Sequence, residues 1–511
     1  MLLSSAQPVP SNDAFFYDGP VVNFLLHGKY ANPSLALALP ISGNEVFCAY
    51  PPLYQFVLLG WMAIFGVTAR SAMFFHLVLF GICLLLLRGI FRELKLPARA
   101  ANIAALFLLV ITFDDRPDSL AHLFGLSAVY SWVRARSFRE AEGPNRQSGD
   151  RPARSWGWNG WHWAMVAFVI LGLATGIQIG AIYFLLIWTG AVAGALFAKD
   201  ELPILQMIAS ILVPIILVLL VAYSFPHLWE GFLEHVRQTP SISGWRIPLL
   251  GEILKIIRTV PGILVIAMLV PWWFPKQQEL REPGKETLWL VTLACTLAAM
   301  AVVVGPMFVL TPNSVFFASF LQPVIVGGYL GMMPRRAEDR GAPPLSSRLH
   351  AAGFIGLAAI GAIRAIGMST WGLACAADVS YPKTISTIKT ELSSVRPGSS
   401  VVVSSAFLYE AARHSDIRWI HSDWMAPAER GGMNKDLEAL VSLRPVRIIL
   451  TQFDFYRRYE PILSKLRTHP EVSEVKLVNL AKTPAPDSFK ALQKIVQHTC
   501  WAPVIISISW K

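Results

Sequence analysis

Uncharged apolar runs of about 20 residues recur along the chain, each the length of helix needed to cross a bilayer. No other feature constrains the fold as strongly. Only 15% of the 511 residues are charged and the mean hydropathy is +0.49, whereas a soluble domain carries roughly a quarter charged residues. A water-soluble globular enzyme is excluded. A β-barrel is excluded too, because the runs are continuous rather than alternating. The expected fold class is a polytopic α-helical membrane protein. Lys and Arg number 44 against 33 Asp and Glu, a net charge of +11. On a soluble chain that excess would suggest nucleic acid. In a membrane protein it marks cytoplasmic loops, so nucleic acid is not an expected partner.

The predicted spans are Ser71–Phe91, Ala100–Phe113, Asp118–Val133, His162–Gly176, Ile179–Ala198, Pro203–Tyr223, Ile253–Trp273, Thr287–Gly305, Ser314–Met333 and His350–Trp371. Basic residues crowd three loops: Arg88 at the end of the first span with Arg92, Lys95 and Arg99 after it, Arg134 to Arg154 after the third, and Arg335 to Arg348 before the last. Even numbers of spans separate these loops, so all three fall on the cytoplasmic side. Residues 1–69, the loop Ser224–Glu252 and residues 376–511 then lie outside. Pro51–Val67 is apolar, but counting it as a span would invert the arginine loops, so it is expected at the outer surface. Met1–Ser5 is too short for a signal peptide. An exported N-terminal segment is therefore expected to follow a further helix upstream of this sequence, the alternative being a tail that is translocated without one.

The expected domains are an outer loop with surface helices (1–69), a transmembrane helical domain (70–375) and an extracytoplasmic α/β domain (376–511). In the last, strands are predicted at Ser400–Ser405, Ile417–His421, Val446–Thr451, Val472–Leu480 and Pro503–Trp510, with helices between them. Such alternation predicts a small parallel sheet. No glycine-rich phosphate loop follows its first strand, so a nucleotide is not expected. The five cysteines form no CxxC pair, which argues against a cysteine zinc site. Cys375 and Cys500 share the outer side and are a candidate disulfide.

Charges at the outer ends of membrane helices carry the functional information, because apolar packing does not explain them. The segment Asn12-Asp13-Ala14-Phe15-Phe16-Tyr17-Asp18-Gly19 places carboxylates beside aromatics, a setting that raises a carboxyl pKa and suits a general base. A helix cap at Asp13 or Asp18 fits the same residues. The turn Asp114-Asp115-Arg116-Pro117-Asp118 suits a metal or a phosphate, or a hydrated helix start. In the loop from His227 to Gln238, Glu230, Glu234 and Arg237 share a helical face near His227 and His235. This is a candidate metal or phosphate site, or a solvated amphipathic helix. Arg364 lies mid-span, where an arginine needs a polar partner. It and Arg258 are candidate grips for a lipid-linked phosphate, although snorkelling also accounts for Arg258.

The order of these features resembles the GT-C glycosyltransferases of the protein O-mannosyltransferase and lipid A aminoarabinose transferase type. The resemblance rests on Asp13 and Tyr17, Gly28-Lys29-Tyr30, Tyr50-Pro51-Pro52-Leu53-Tyr54, Phe65-Gly66, Arg70 and Asp118. It is strongest over residues 12–135. Beside the ten spans read from the apolar runs, it implies one more transmembrane helix at the start, an outer surface helix at the Pro-Pro-Leu segment, a sugar donor on a polyprenyl phosphate, and inverting transfer on the outer side. Asp13 maps onto the catalytic base and Asp118 onto a second outer acid. Ala14 replaces a Glu usual in the family. Glu234-His235 resembles a Glu-His pair that lies near a metal in aminoarabinose transferases, making a divalent metal the candidate cofactor.

The expected function is therefore transfer of a hexosyl or pentosyl group from a polyprenyl-phosphate donor to a glycan, lipid or protein acceptor at a plasma membrane of the bacterial inner-membrane kind. Asp13 and Asp118 are the candidate catalytic residues, Tyr17, Arg70, Arg116, Arg237, Arg258 and Arg364 the candidate substrate-binding residues, and Glu234 and His235 the candidate metal ligands. The alternatives are a transporter or flippase of a lipid-linked substrate, and a non-catalytic scaffold of the same fold. Transporters often carry paired repeats with broken helices, and the sequence has no such repeat.

Overall fold

The computed structural model describes residues 14–47, 52–96, 98–111, 118–142, 381–425, 432–479 and 503–511, with isolated helical positions between 212 and 234 and at 324 and 327. The predicted spans His162–Gly176, Ile179–Ala198, Ile253–Trp273, Thr287–Gly305 and His350–Trp371 lie outside the described residues, as do Cys375 and Cys500.

The chain begins with α1 (Ala14–Tyr17) and α2 (Gly19–His27). Gly28, at φ 72°, ends α2 in the left-handed conformation that glycine adopts without strain. A 3-10 turn at Pro33–Leu35 leads to α3 (Pro40–Asn44), and α4 follows at Leu53–Phe65. Tyr54, Leu58 and Met62, one helical turn apart, are buried, while Phe56, Ile64 and Phe65 on the other side are exposed. With 13 residues, α4 is about 20 Å long, short of the roughly 30 Å hydrocarbon core. A helix of this length is too short to span that core, and its exposed apolar face is of the kind that suits a membrane surface.

Thr68 caps the next helix by accepting the Ser71 N–H at 3.1 Å. That helix, α5 (Ala69–Glu93), contains an 18-residue stretch with a mean hydropathy of 2.3 and is the one among the described residues long and apolar enough to cross a membrane. Phe75, Leu79, Cys83 and Leu87 face inward, and Phe74, Ile82 and Leu85 are exposed. An apolar outer face on an apolar helix requires lipid or protein around it. Helix α6 (Ala98–Ile111) turns back and α7 (Asp118–Glu142) follows. His76 meets Ser119, a Cβ on Gly89 would press against Tyr130, and Glu93 pairs with Arg134. This nearly constant offset means that α5 and α7 run parallel, with α6 antiparallel to them. A Cβ at Gly327 would lie 2.5 Å from the Ala100 carbonyl, so the bare backbone there allows close helix packing of the membrane type.

The last region holds α8 (Tyr381–Ser393), β1 (Ser400–Val403), α9 (Leu408–Ala411), β2 (Arg418–His421), α10 (Gly432–Leu443), β3 (Arg447–Thr451), α11 (Glu460–Arg467), β4 (Val472–Asn479) and β5 (Pro503–Trp510). Runs such as Val401-Val402-Val403 and Ile448-Ile449-Leu450 suit strands buried on both faces. The strand order is β2-β1-β3-β5-β4. The first three are parallel, but β5 lies antiparallel between β3 and β4. The sheet is therefore mixed, which corrects the parallel expectation: side-chain alternation has the same period in either direction. Val401, Val403, Ile449 and Ile505 join one apolar core with α1, α2 and α4–α7. Val402, Ile448, Leu450 and Ile506 face a second core with Leu440 of α10 and Ile462, Leu463 and Leu466 of α11. One face of the sheet is thus shared with the N-terminal segment.

Candidate functional site

Asp18 sits between α1 and α2 and is 1% exposed. It occupies the N-cap position of α2, yet its side chain makes no capping hydrogen bond. Its carboxylate instead accepts from Tyr409 Oη at 2.7 Å and from Tyr54 Oη at 3.3 Å. Burial pushes its pKa from 3.8 up to about 7, against the lowering effect of the two tyrosine hydroxyls. The chain of polar groups continues. Tyr54 Oη lies 3.1 Å from His76 Nε2, and His76 Nδ1 lies 2.7 Å from Ser119 Oγ. Each hydroxyl has one proton and each neutral imidazole one N–H. With Asp18 ionised, the bonds run from Ser119 through His76 and Tyr54 to the carboxylate. With Asp18 protonated, the same chain can run in reverse. The network accommodates a proton at Asp18 by reorienting hydrogen bonds, with no heavy atom required to move.

Helix α9 is the element that docks the sheet region here. Besides Tyr409, the Ala412 carbonyl accepts from His27 Nε2 at 2.7 Å, and Arg413 donates to the Val67 carbonyl at 2.7 Å. Next to it, Phe15 stacks on His421 with ring centroids 3.6 Å apart, and Phe16 meets Trp424 edge-on at 4.9 Å. Asn32 fixes the end of α1 by donating to the Phe15 carbonyl at 2.5 Å, and a Cβ on Gly19 would collide with it.

His421 lies 2.6 Å from Ser405 Oγ, a pair that suggests a nucleophile and its base. The geometry argues otherwise. His421 Nδ1 accepts the Asp423 N–H at 3.1 Å, so the ring proton is on Nε2 and points at Ser405. Burial lowers the His421 pKa to about 4. The imidazole is neutral and donates to the serine, so it does not activate it. Ser404 and Thr451 both donate to Asp454, closing the polar edge of the sheet.

No family model matches the sequence, and no curated protein matches it. Solved structures do. The aminoarabinose transferase ArnT of Cupriavidus metallidurans bound to undecaprenyl phosphate aligns over 99% of this chain and 95% of its own, with 12% identity and a TM-score of 0.51. The fold is GT-C. The apo state of the same transferase gives a TM-score of 0.49 at 12% identity, over 99% of this chain and 95% of that one. The oligosaccharyltransferase AglB of Archaeoglobus fulgidus gives 0.44 at 11% identity, covering 88% of this chain and 66% of its own. The assignment rests on the first. A GT-C fold is a polytopic membrane fold, in keeping with the long apolar runs of this chain.

Within the GT-C fold the predicted residues separate. Tyr17 is buried, its ring edge-on to Tyr54 at 6.0 Å. Arg70 is exposed in the first turn of α5, and Asp118 opens α7, one residue before Ser119. Glu234 accepts from the backbone N–H groups of Ile41 and Ser42 at 3.2–3.4 Å, at the start of α3, and burial raises its pKa. His227 instead bonds Glu230 at 3.1 Å with Glu45 at 3.9 Å, and that hydrogen bond, followed by the Glu45 charge, raises its pKa. Among the described residues no three potential metal ligands come together. Asp13, Arg116, Arg237, His235, Arg258 and Arg364 lie outside the described residues. Sequence reasoning missed Tyr54, His76, Ser119 and Tyr409. Asp18 and Tyr54 stood in motifs already singled out, whereas His76 reads as a lone polar residue in an apolar run and Tyr409 carries no local signal.

Proposed function

We propose that this chain is an inverting membrane glycosyltransferase that moves a sugar from a polyprenyl phosphate to an extracytoplasmic acceptor. The observation that carries this is the GT-C alignment over nearly the whole chain to a transferase solved with undecaprenyl phosphate. The buried polar network at the sheet-side ends of α5 and α7 supports it. In this proposal the sheet side faces outward at a plasma membrane, about ten spans cross it, and the domains are residues 1–69, 70–375 and 376–511.

Asp13, the residue before α1, takes the proton from an acceptor hydroxyl. The acceptor oxygen then forms a bond to the anomeric carbon from the face opposite the phosphate. The anomeric carbon–oxygen bond breaks through an oxocarbenium-like transition state, and its electron pair leaves with the polyprenyl phosphate. Arg258 and Arg364 stabilise that departing charge. Tyr17, Arg70, Arg116 and Arg237 contribute to the donor and acceptor surfaces, and Asp118 orients the acceptor. Glu234 and His235 are the candidate ligands for a divalent metal, which when bound would neutralise phosphate charge. Glu234 already holds the amides of Ile41 and Ser42 in α3.

The test is transfer from a panel of polyprenyl-phosphate sugars by wild type and Asp13→Asn. Turnover that drops by roughly 10²–10⁴-fold in the variant while donor binding persists supports both the activity and the base. Donor bound but never turned over by wild type counts against the transferase.

A further inference from the structure

Strands β1, β2 and β3 are parallel, with β1 in the middle. The chain leaves β1 toward β2 on one side, and β3 pairs on the other, so the strand order reverses at β1. In open α/β sheets the crevice outside the carboxyl ends at such a point holds the ligand. Here the corresponding residues are Ser404 and Ser405 after β1, His421 to Trp424 at the end of β2, and Thr451 at the end of β3. This edge already has an occupant. Phe15 lies flat on His421, Phe16 is edge-on to Trp424, and Tyr409, just beyond β1, bonds Asp18. The four residues Phe15, Phe16, Tyr17 and Asp18 are each no more than 5% exposed.

We propose that the C-terminal sheet is an intramolecular receptor for the segment Phe15–Asp18, and that its task is to position the base that precedes this segment. The sheet takes hold through Tyr409 and His421. The helical region takes hold through Tyr54 of α4, which bonds the same Asp18 carboxylate, and through His76 of α5 behind it, which carries the chain on to Ser119 of α7. The segment is thereby fixed between two bodies, and Asp13 is two positions before its start. Tyr409 and His421 are positioning residues, since neither is required to touch substrate. This deepens the transferase proposal and rests on its assignment of Asp13. A reacting group misplaced by about 1 Å costs on the order of 10²-fold in rate, so a loosened segment changes turnover before it changes binding.

The experiment uses the full chain in detergent, with Tyr409→Phe and Phe15→Leu as variants. The first removes only the hydroxyl, and the second removes the stack while nearly keeping the volume. The expected result is a kcat reduced roughly 10–100-fold, donor KM within about twofold of wild type, and a melting temperature within a few degrees of it. Amide hydrogen exchange should quicken over residues 14–18 while α5 keeps its protection. A raised KM with kcat intact overturns the proposal, because the edge would then belong to a substrate site. Unchanged exchange over residues 14–18 overturns it as well. A wild type that turns over no donor, with exchange quickened in Tyr409→Phe, upholds the receptor and removes the assignment of Asp13 as base.

Discussion

The two ends of the α5/α7 pair are built differently. At the sheet side, His76 and Ser119 join through a buried hydrogen bond that continues through Tyr54 to Asp18 and Tyr409. At the arginine side, Gly89 receives Tyr130, Gly327 lies against Ala100, and Glu93 pairs loosely with Arg134 at 3.7 Å. Shape and solvated charge suffice to hold two helices together. A buried polar chain fixes directions as well as distances, but each of its members becomes costly if its partner is lost. Directional precision is therefore concentrated where the proposed chemistry lies.

The largest expected effect comes from Asp18. Its folded pKa of about 7 exceeds the unfolded value of 3.8, so between those values the folded protein retains a proton that the unfolded chain releases. Stability from this group is complete below about pH 4, falls as pH rises to about 7, and is flat above. The loss amounts to as much as roughly 4 kcal/mol. Asp18→Asn should remove it. Melting curves of wild type and variant should diverge below pH 7, with wild type gaining stability toward acid relative to the variant. Parallel curves would mean that Asp18 ionises freely in the fold.

Next comes His76→Ala, which removes one hydrogen bond from Tyr54 and one from Ser119 and opens a cavity where a side chain only 2% exposed stood. A loss of about 3 kcal/mol is expected, read as a lower melting temperature. A substitution that left melting unchanged would erase the contrast between the two ends.

The contrast also explains what sequence could reveal. Val401-Val402-Val403 and Ile448-Ile449-Leu450 were legible as strands because β-branched runs of that length admit little else. The helices at α5, α6 and α7 were legible from their apolar runs. Strand direction was not, because β5 alternates identically whether it runs with β3 or against it. The polar chain was half legible. Asp18 stood in a suspected segment, but a carboxylate before a helix reads equally well as a cap. Tyr409 bonds it across 391 positions, and no local pattern encodes that meeting.

At the arginine side, Gly327→Ala should cost about 2 kcal/mol, because the new methyl would lie 2.5 Å from a backbone oxygen that has little freedom to retreat. Turnover per folded molecule should stay near wild type, with the damage visible as reduced yield and melting temperature. A specific fall in kcat would mean that the two ends are coupled mechanically through α6.

The smallest effect belongs to Glu93→Gln. The pair with Arg134 is 3.7 Å long, the arginine side chain is 31% exposed, and Arg92 stands 3.9 Å away on the same glutamate. Arg134 also has Tyr130, whose hydroxyl accepts from Nη1, so it keeps a partner when the charge is removed. A long pair that is still partly reached by solvent, the glutamate being 19% exposed, contributes about 0–1 kcal/mol, less in salt. Melting should therefore shift by a degree or two at low ionic strength and not at all at high, with transfer unaffected. A large, salt-insensitive loss would place Glu93 in a buried network like that around Asp18, and the two ends of the helix pair would then have to be regarded as equivalent.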